Sequence, residues 1–322
     1  MVATLTSTPA VADRAARLVA AAQRQSFDPF TEIDWTEPVD GNGAYYLPPE
    51  FLPLHGTAVW DAMSDEQRME YSRHECASLC SAGIWFENIL MQLLLKHLYD
   101  LPATDGGHRF LLTEVADECR HSSMFGEFVR KAGTPAYKVF APIRFGGKFM
   151  VATSTRAAAY ISILAAEEIL DVSNRATMKD ERVHPTSRRM AKIHVAEESR
   201  HMSYARVWLE ESWPRLGRIE KAVAVVQAPF FVWGISQALV NPAVYRTLGI
   251  DHGARTAQRN PEHKARVRRD LGRLTGFLSG IGAIPAATRP LWRVLGLMGD
   301  EGDGARTEAA PTSDDDASTA AA

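Results

Sequence analysis

The sequence predicts an all-α protein built on a four-helix bundle with additional flanking helices. Apolar residues recur at helical spacing through long segments, and alternating strand patterns are almost absent. Two segments about 80 residues apart are near-copies: 115–123 reads Val-Ala-Asp-Glu-Cys-Arg-His-Ser-Ser, and 195–203 reads Val-Ala-Glu-Glu-Ser-Arg-His-Met-Ser. Each holds Glu-x-x-His, and residues three apart share a helix face. Glu118 with His121, and Glu198 with His201, therefore each direct a carboxylate and an imidazole to one spot.

Residues 1–63 read as an arm. Residues 10–25 are Ala- and Arg-rich, fit an amphipathic helix or a frayed tail, and lack the large apolar run of a signal peptide. Residues 28–54 mix Pro and Gly with Trp35, Tyr45, Tyr46 and Phe51, a composition able to wrap a helical core. Ser64 to Gln67 forms a capping box that opens a helix running to Asp100. A second helix, 108–132, stops at Gly133, a C-cap. Segment 134–147 carries Pro135, Pro142, Gly146 and Gly147 and reads as a crossover connection. A third helix is expected over 149–179. Pro185 suits the first turn of a fourth, which reaches Trp213.

Residues 64–215 thus form the expected bundle core, and four long helices with one long connection match a ferritin-like bundle. Residues 216–298 add two or three helices packed on that core. Segment 222–245 is uncharged but holds Gln227, Pro229, Gly234, Gln237, Asn241 and Pro242, so it reads as a buried helix, kinked at Pro229, rather than a membrane span. Residues 299–322, rich in Gly, Ala, Ser, Thr and Asp, are expected to be disordered.

A hydrophobic content of 46% over 322 residues is ample for one large core or two small ones. A net charge of −3 removes any general electrostatic case for nucleic acid. Three cysteines are too few for a disulfide framework; Cys76, Cys80 and Cys119 read as buried reduced thiols of a cytoplasmic protein. The basic run Arg255, Arg259, Lys264, Arg266, Arg268, Arg269 and Arg273 reads as a solvated face or a docking surface for an acidic electron donor.

Two Glu-x-x-His helices need one further carboxylate from each of two other helices to complete a di-metal site. On the first helix Glu87 is the only acid between Glu75 and Asp100, and its neighbours Gly83, Ile84, Leu90, Met91 and Leu94 are apolar. An ionised carboxylate there is costly unless paired or bound to metal. The third helix offers Glu167 and Glu168, between which periodicity does not choose; Asp171, one turn past Glu167, could accept from a ligand histidine. His194 lies four before Glu198 and seven before His201, on the same stripe. Mixed carboxylate and imidazole ligation with open positions suits iron that activates oxygen. Arg120 and Arg200 recur at matching places of the repeat and would pair with Asp117 and Glu197, the favoured reading, or with a substrate carboxylate.

At these residues the chain resembles the p-aminobenzoate N-oxygenase family of non-haem di-iron oxygenases. That family adds a third histidine four residues before its last Glu-x-x-His, the place of His194. Its first-helix glutamate matches Trp85-Phe86-Glu87-Asn88-Ile89, its Asp-Glu-x-x-His matches residues 117–121, and its Ala-Glu matches Ala166-Glu167, which selects Glu167. The likeness covers about 64–215.

It implies two iron ions held by Glu87, Glu118, His121, Glu167, His194, Glu198 and His201. It also implies O₂ bound as a peroxo species, oxygen transfer to an amine of a small-molecule substrate, and electrons from an external ferredoxin or flavoprotein. A homodimer is compatible with it. The faces adjoining Glu87 and Glu167 place the expected substrate pocket near Cys80, Gly83, Ile84, Tyr160 and Leu164. Phe125 stands four past His121, where ribonucleotide-reductase small subunits carry a radical tyrosine. The competing readings are a di-iron hydroxylase or desaturase acting on carbon, and a non-catalytic ferroxidase.

Overall fold

A computed structural model of the chain describes residues 6–40 and 43–299. The first helix, α1 (Pro9–Arg24), starts where the Thr8 side chain accepts from the Val11 amide at 3.2 Å. Short turns α2 (Pro29–Glu32) and α3 (Ala58–Asp61) follow. The bundle begins with α4 (Asp65–Asp100) and α5 (His108–Ala132). The capping box forms: the Gln67 amide donates to Ser64 Oγ at 3.3 Å, and the Ser64 amide donates to Gln67 Oε1 at 2.9 Å. Gly133 ends α5 with φ 61°, a left-handed conformation that side chains resist.

The middle of the chain departs from expectation. Part of the expected crossover is itself helical, α6 (Ala141–Thr153), and the third bundle helix α7 (Arg156–Thr177) starts later than residue 149. Pro142 sits in the first turn of α6, where its missing N–H costs nothing. The Thr155 hydroxyl accepts from the Ala158 amide at 3.3 Å and so restarts the helix. Gly147 lets α6 lie close on α4: a Cβ there would stand 2.5 Å from Trp85 Cζ2 and 2.7 Å from Ile89 Cδ1.

The fourth bundle helix, α8 (Pro185–Ser212), packs on α7, as α4 packs on α5; α4 also meets α7, and α5 meets α8. The C-terminal part divides further than expected, into α9 (Arg218–Ala238), α10 (Pro242–Thr247), α11 (Gly253–Arg259), α12 (Pro261–Asp270), α13 (Gly272–Gly280) and α14 (Arg289–Val294). Pro229 lies inside α9, which continues through it. Two stretches, Asp65–Asp100 and Arg218–Thr247, are long and apolar enough to cross a membrane. The first carries Glu87 inside the bundle, and α9 in the second packs on α7 and α6.

The result is an all-α ferritin-like bundle; among the described residues the sole β-feature is an isolated bridge between Tyr45 and Val183. The arm is pinned by its aromatics. Tyr46 is fully buried, stacks on His184 with centroids 5.0 Å apart, and its amide donates to Ser72 Oγ at 2.9 Å. Phe51 lies under the Arg266 guanidinium, 5.0 Å away, so this arginine of the basic run turns inward. Cys76 and Cys80 are buried as expected, but Cys119 is exposed, because on α5 it points away from the face that Glu118 presents to the interior. The expected disorder of 299–322 falls, past residue 299, outside the described residues.

Candidate metal centre

The two Glu-x-x-His segments face each other across the bundle. His121 Nδ1 lies 2.9 Å from Glu118 Oε2 and 3.0 Å from Glu198 Oε1. His201 Nδ1 lies 2.9 Å from Glu198 Oε2 and 2.9 Å from Glu118 Oε1. Glu118 and Glu198 therefore stand between the two imidazoles. From α4, Glu87 joins His121 and His194; from α7, Glu167 joins His194 and Glu198. His194 Nε2 is 3.7 Å from both Glu87 Oε1 and Glu198 Oε1. The seven sequence-derived donors thus converge, and all are buried.

Sequence reasoning passed over Glu114. It groups with Glu118 and His201, with donor atoms of the three within 4.8 Å of one another, and it is buried. The signal was available: Glu114 is four before Glu118, as His194 is four before Glu198. Glu168 turns away instead and pairs with Arg206. The expected role of Asp171 also changes. It pairs with Arg175 at 2.8 Å, and Asn174 reaches His194, Nδ2 to Nδ1 3.0 Å. Turned the other way, that amide's oxygen accepts an Nδ1 proton and leaves the Nε2 lone pair free.

Outside the donors lies a second layer, formed by Asp117 and Glu197. His121 Nε2 is 2.8 Å from Glu197 Oε2, and His201 Nε2 is 3.2 Å from Asp117 Oδ2. Arg120 pairs with Asp117 and, at 3.5 Å, with Glu197; Arg200 reaches the same two carboxylates at 3.3 and 3.6 Å. The expected pairing of these arginines is present, and it joins the two repeats.

The electrostatics are those of anions crowded out of water. Burial pushes the Glu87 and Glu167 carboxyls well up, and neighbouring carboxylates add to it: Glu118 and Glu198 beside Glu87, with Glu198 foremost beside Glu167. Burial likewise raises Glu114 to about 8. Burial acts on Glu198 the same way, but the His201 charge and hydrogen bonds from His121 and His201 hold it well below the usual range. Burial lowers His194 to about 4, so its imidazole is neutral, the form that ligates metal.

A bound cation fits this arrangement. Glu87 Oε2, Glu114 Oε2, Glu167 Oε2 and His194 Nε2 are all buried without a hydrogen-bond partner. Such atoms are costly unless something positive satisfies them. Carboxylates with imidazoles suit iron, manganese or zinc and not calcium, which prefers oxygen alone.

Glu167 also lines a cavity of about 750 Å³ between α4, α6, α7 and α9. The pocket residues expected from sequence lie elsewhere. Cys80 and Gly83 line a void of about 60 Å³ beside His194. Tyr160 lines a separate cavity of about 330 Å³ with His97, its hydroxyl 2.9 Å from His97 Nδ1. Ile84 and Leu164 line neither of these nor the large cavity. The difference comes from α6 and α9, whose residues wall the large cavity against the Trp85 side of α4 and the Ile163 side of α7.

Fold and site together define a ferritin-like bundle able to hold metal ions among buried carboxylates and imidazoles. A family model described as p-aminobenzoate N-oxygenase AurF matches residues 8–282, and the chain belongs to that family. The match takes in the arm and most of the C-terminal helices, beyond the 64–215 span where the motifs carried the likeness. Two similar proteins are "Uncharacterized protein Rv0885" of Mycobacterium tuberculosis (strain H37Rv) and "Uncharacterized protein Mb0909" of Mycobacterium bovis. Each is 30% identical over 225 residues, which is 68% of this chain and 66% of the relative. The chain therefore spans just under two thirds of those relatives' length.

Proposed function

We propose that this protein is a di-iron oxygenase that transfers oxygen from O₂ to the nitrogen of an amine, toward hydroxylamine, nitroso or nitro products. The observation that carries the reading is the buried cluster of unpartnered donors that opens, at Glu167, onto a large apolar cavity. Two irons would supply O₂ activation and oxygen transfer; the chain supplies the rest. Glu87, Glu118, His121, Glu167, His194, Glu198 and His201 would hold the metals, with Glu114 as a further carboxylate on the His201 side. Glu118 and Glu198, each within 3.0 Å of both Glu-x-x-His imidazoles, would be the central carboxylates of that donor set. Asp117 and Glu197 accept the Nε2 protons and so aim Nδ1 inward. The cavity walls keep bulk water from the reacting amine. Electrons would come from an external ferredoxin or flavoprotein.

The apolar cavity equally suits a carbon-centred reaction, and product analysis separates the two. Iron-reconstituted protein should hold about two irons per chain. After chemical reduction it should convert an aryl amine under ¹⁸O₂ to a product carrying labelled oxygen on nitrogen. Label found only on carbon moves the assignment to a hydroxylase, and one zinc with no iron removes the oxygenase reading.

A further inference from the structure

The large cavity has a floor, walls and a mouth of distinct chemistry. Glu167 belongs both to the cavity lining and to the cluster of buried donors, and so marks the inner end. Of the lining residues only Glu167, Ser162 and Gln227 are polar, and no Lys, Arg or His faces the space. The nearby cations of α6, Arg144 and Lys148, are exposed and do not line it. At the outer end Phe149, Val226, Phe230 and Trp233 line the cavity and are also exposed, by 37% to 60%. An apolar path therefore runs from the surface to Glu167.

We infer that this site takes an amine carried on a long uncharged apolar body, such as an alkyl-substituted aryl amine, and rejects a ring bearing a carboxylate. The inference rests on the proposed amine oxygenation for its reacting end and on the cavity for the rest. A volume of about 750 Å³ lies high in the range of about 300–1,000 Å³ that holds drug-sized ligands. A single-ring amine would leave most of it unfilled. An anionic group would enter a cation-free space whose one ionisable side chain is itself a carboxyl, with nothing to repay its desolvation. An aryl amine is unprotonated at neutral pH and keeps its nitrogen lone pair for the reaction.

The test is binding to the iron-free chain, measured by titration calorimetry with 4-alkylanilines from methyl to decyl. The matched alkylbenzenes and 4-aminobenzoate are run alongside. Affinity should rise about four-fold per methylene until the chain outgrows the cavity, the worth of one buried methylene. Alkylbenzenes should show the same slope, and 4-aminobenzoate should bind at least about a hundred-fold more weakly than hexylaniline. Gly146 and Gly234 line the cavity, and a Cβ at either meets nothing within 4 Å. Both sit inside helices, so Gly146→Leu and Gly234→Leu favour the fold while filling the space. They should weaken decylaniline about ten-fold or more and leave methylaniline unchanged.

Affinity independent of chain length, 4-aminobenzoate binding as tightly as hexylaniline, or long-chain binding untouched by both leucines would each overturn the inference. Because no iron is needed, its failure is separable from that of the oxygenase reading. Chain-length-dependent binding with oxygen appearing only on carbon would retain the cavity assignment and sink amine oxygenation.

Discussion

Asp117 on α5 holds the imidazole of His201 on α8, Oδ2 to Nε2 3.2 Å, and not that of His121 in its own motif. Glu197 returns the arrangement by holding His121 at 2.8 Å. In each repeat the residue before the inner glutamate thus orients the histidine of the other repeat. Arg120 and Arg200 tie both outer carboxylates together. The cross-bracing explains why the two segments match at Arg as well as at Glu and His.

This gives the first prediction. Asp117→Asn leaves the shape of the side chain but removes the charge that fixes the His201 proton on Nε2. Ferrous iron affinity should fall about 10- to 100-fold, the usual cost of losing such a partner. Chelator-competition titration measures it, and an unchanged affinity would mean that packing alone orients His201.

Glu114 gives the second. Burial raises its carboxyl to about 8, so in the iron-free chain it is mostly protonated at neutral pH and Gln is a close copy. Glu114→Gln should therefore leave folding nearly untouched. If Glu114 becomes a ligand when iron arrives, the variant should bind one of two irons about ten-fold more weakly or worse. An iron isotherm identical to that of the unaltered chain would make Glu114 a filler beside the site.

Much of this site was legible because donor groups that converge on one spot of a helix bundle must recur at helical spacing. Glu118, His121, Glu198 and His201 came from the repeat, Glu87 from its isolation on an apolar stripe, and His194 from its helical phase. Glu114 was missed because an acid is an ordinary helix residue, whereas a histidine on the same stripe draws notice. The bundle helices α4, α5 and α8 have caps written in local residues, Ser64 with Gln67, Gly133 and Pro185. The start of α7 was misplaced because 149–153 continue a helical pattern and only the Thr155 cap interrupts it. The cavity could not be read from helix faces at all. It depends on how α6 and α9 pack over α4 and α7, a tertiary arrangement with no local signature.

His194 gives the third prediction. Its Nε2 is buried without a partner and faces Glu87 and Glu198 at 3.7 Å. His194→Ala should keep the helical fold, weaken one iron, and slow oxidation of the reduced protein by O₂ at least ten-fold. Lower thermal stability with iron content and oxygen consumption unchanged would reassign His194 as a packing residue.

The last prediction lies away from the buried cluster of carboxylates and imidazoles. Glu75 on α4 is buried, with Oε1 unpartnered, near Arg266 of α12. Burial pushes its carboxyl from 4.5 up to about 7, against the pull of the Tyr245 and Tyr71 hydroxyls and the Arg266 charge. A carboxyl raised on folding contributes stability fully below its unfolded value, and that contribution is lost as pH rises through the folded one. The folded chain must then either hold a proton or bury a charge. For Glu75 the loss runs between about pH 4.5 and pH 7 and is on the order of 3 kcal/mol, at about 1.4 kcal/mol per pKa unit. Glu75→Gln keeps an oxygen for the tyrosines and cannot ionise. Other titrating groups nearby, Asp270 raised to about 6 and His263 lowered to about 4 by burial, are common to both proteins and cancel in the comparison. The melting temperature of Glu75→Gln relative to the unaltered chain should therefore climb from about pH 4.5 to about pH 7 and level off above it. A difference that stays constant across that range would show that Glu75 keeps one protonation state throughout.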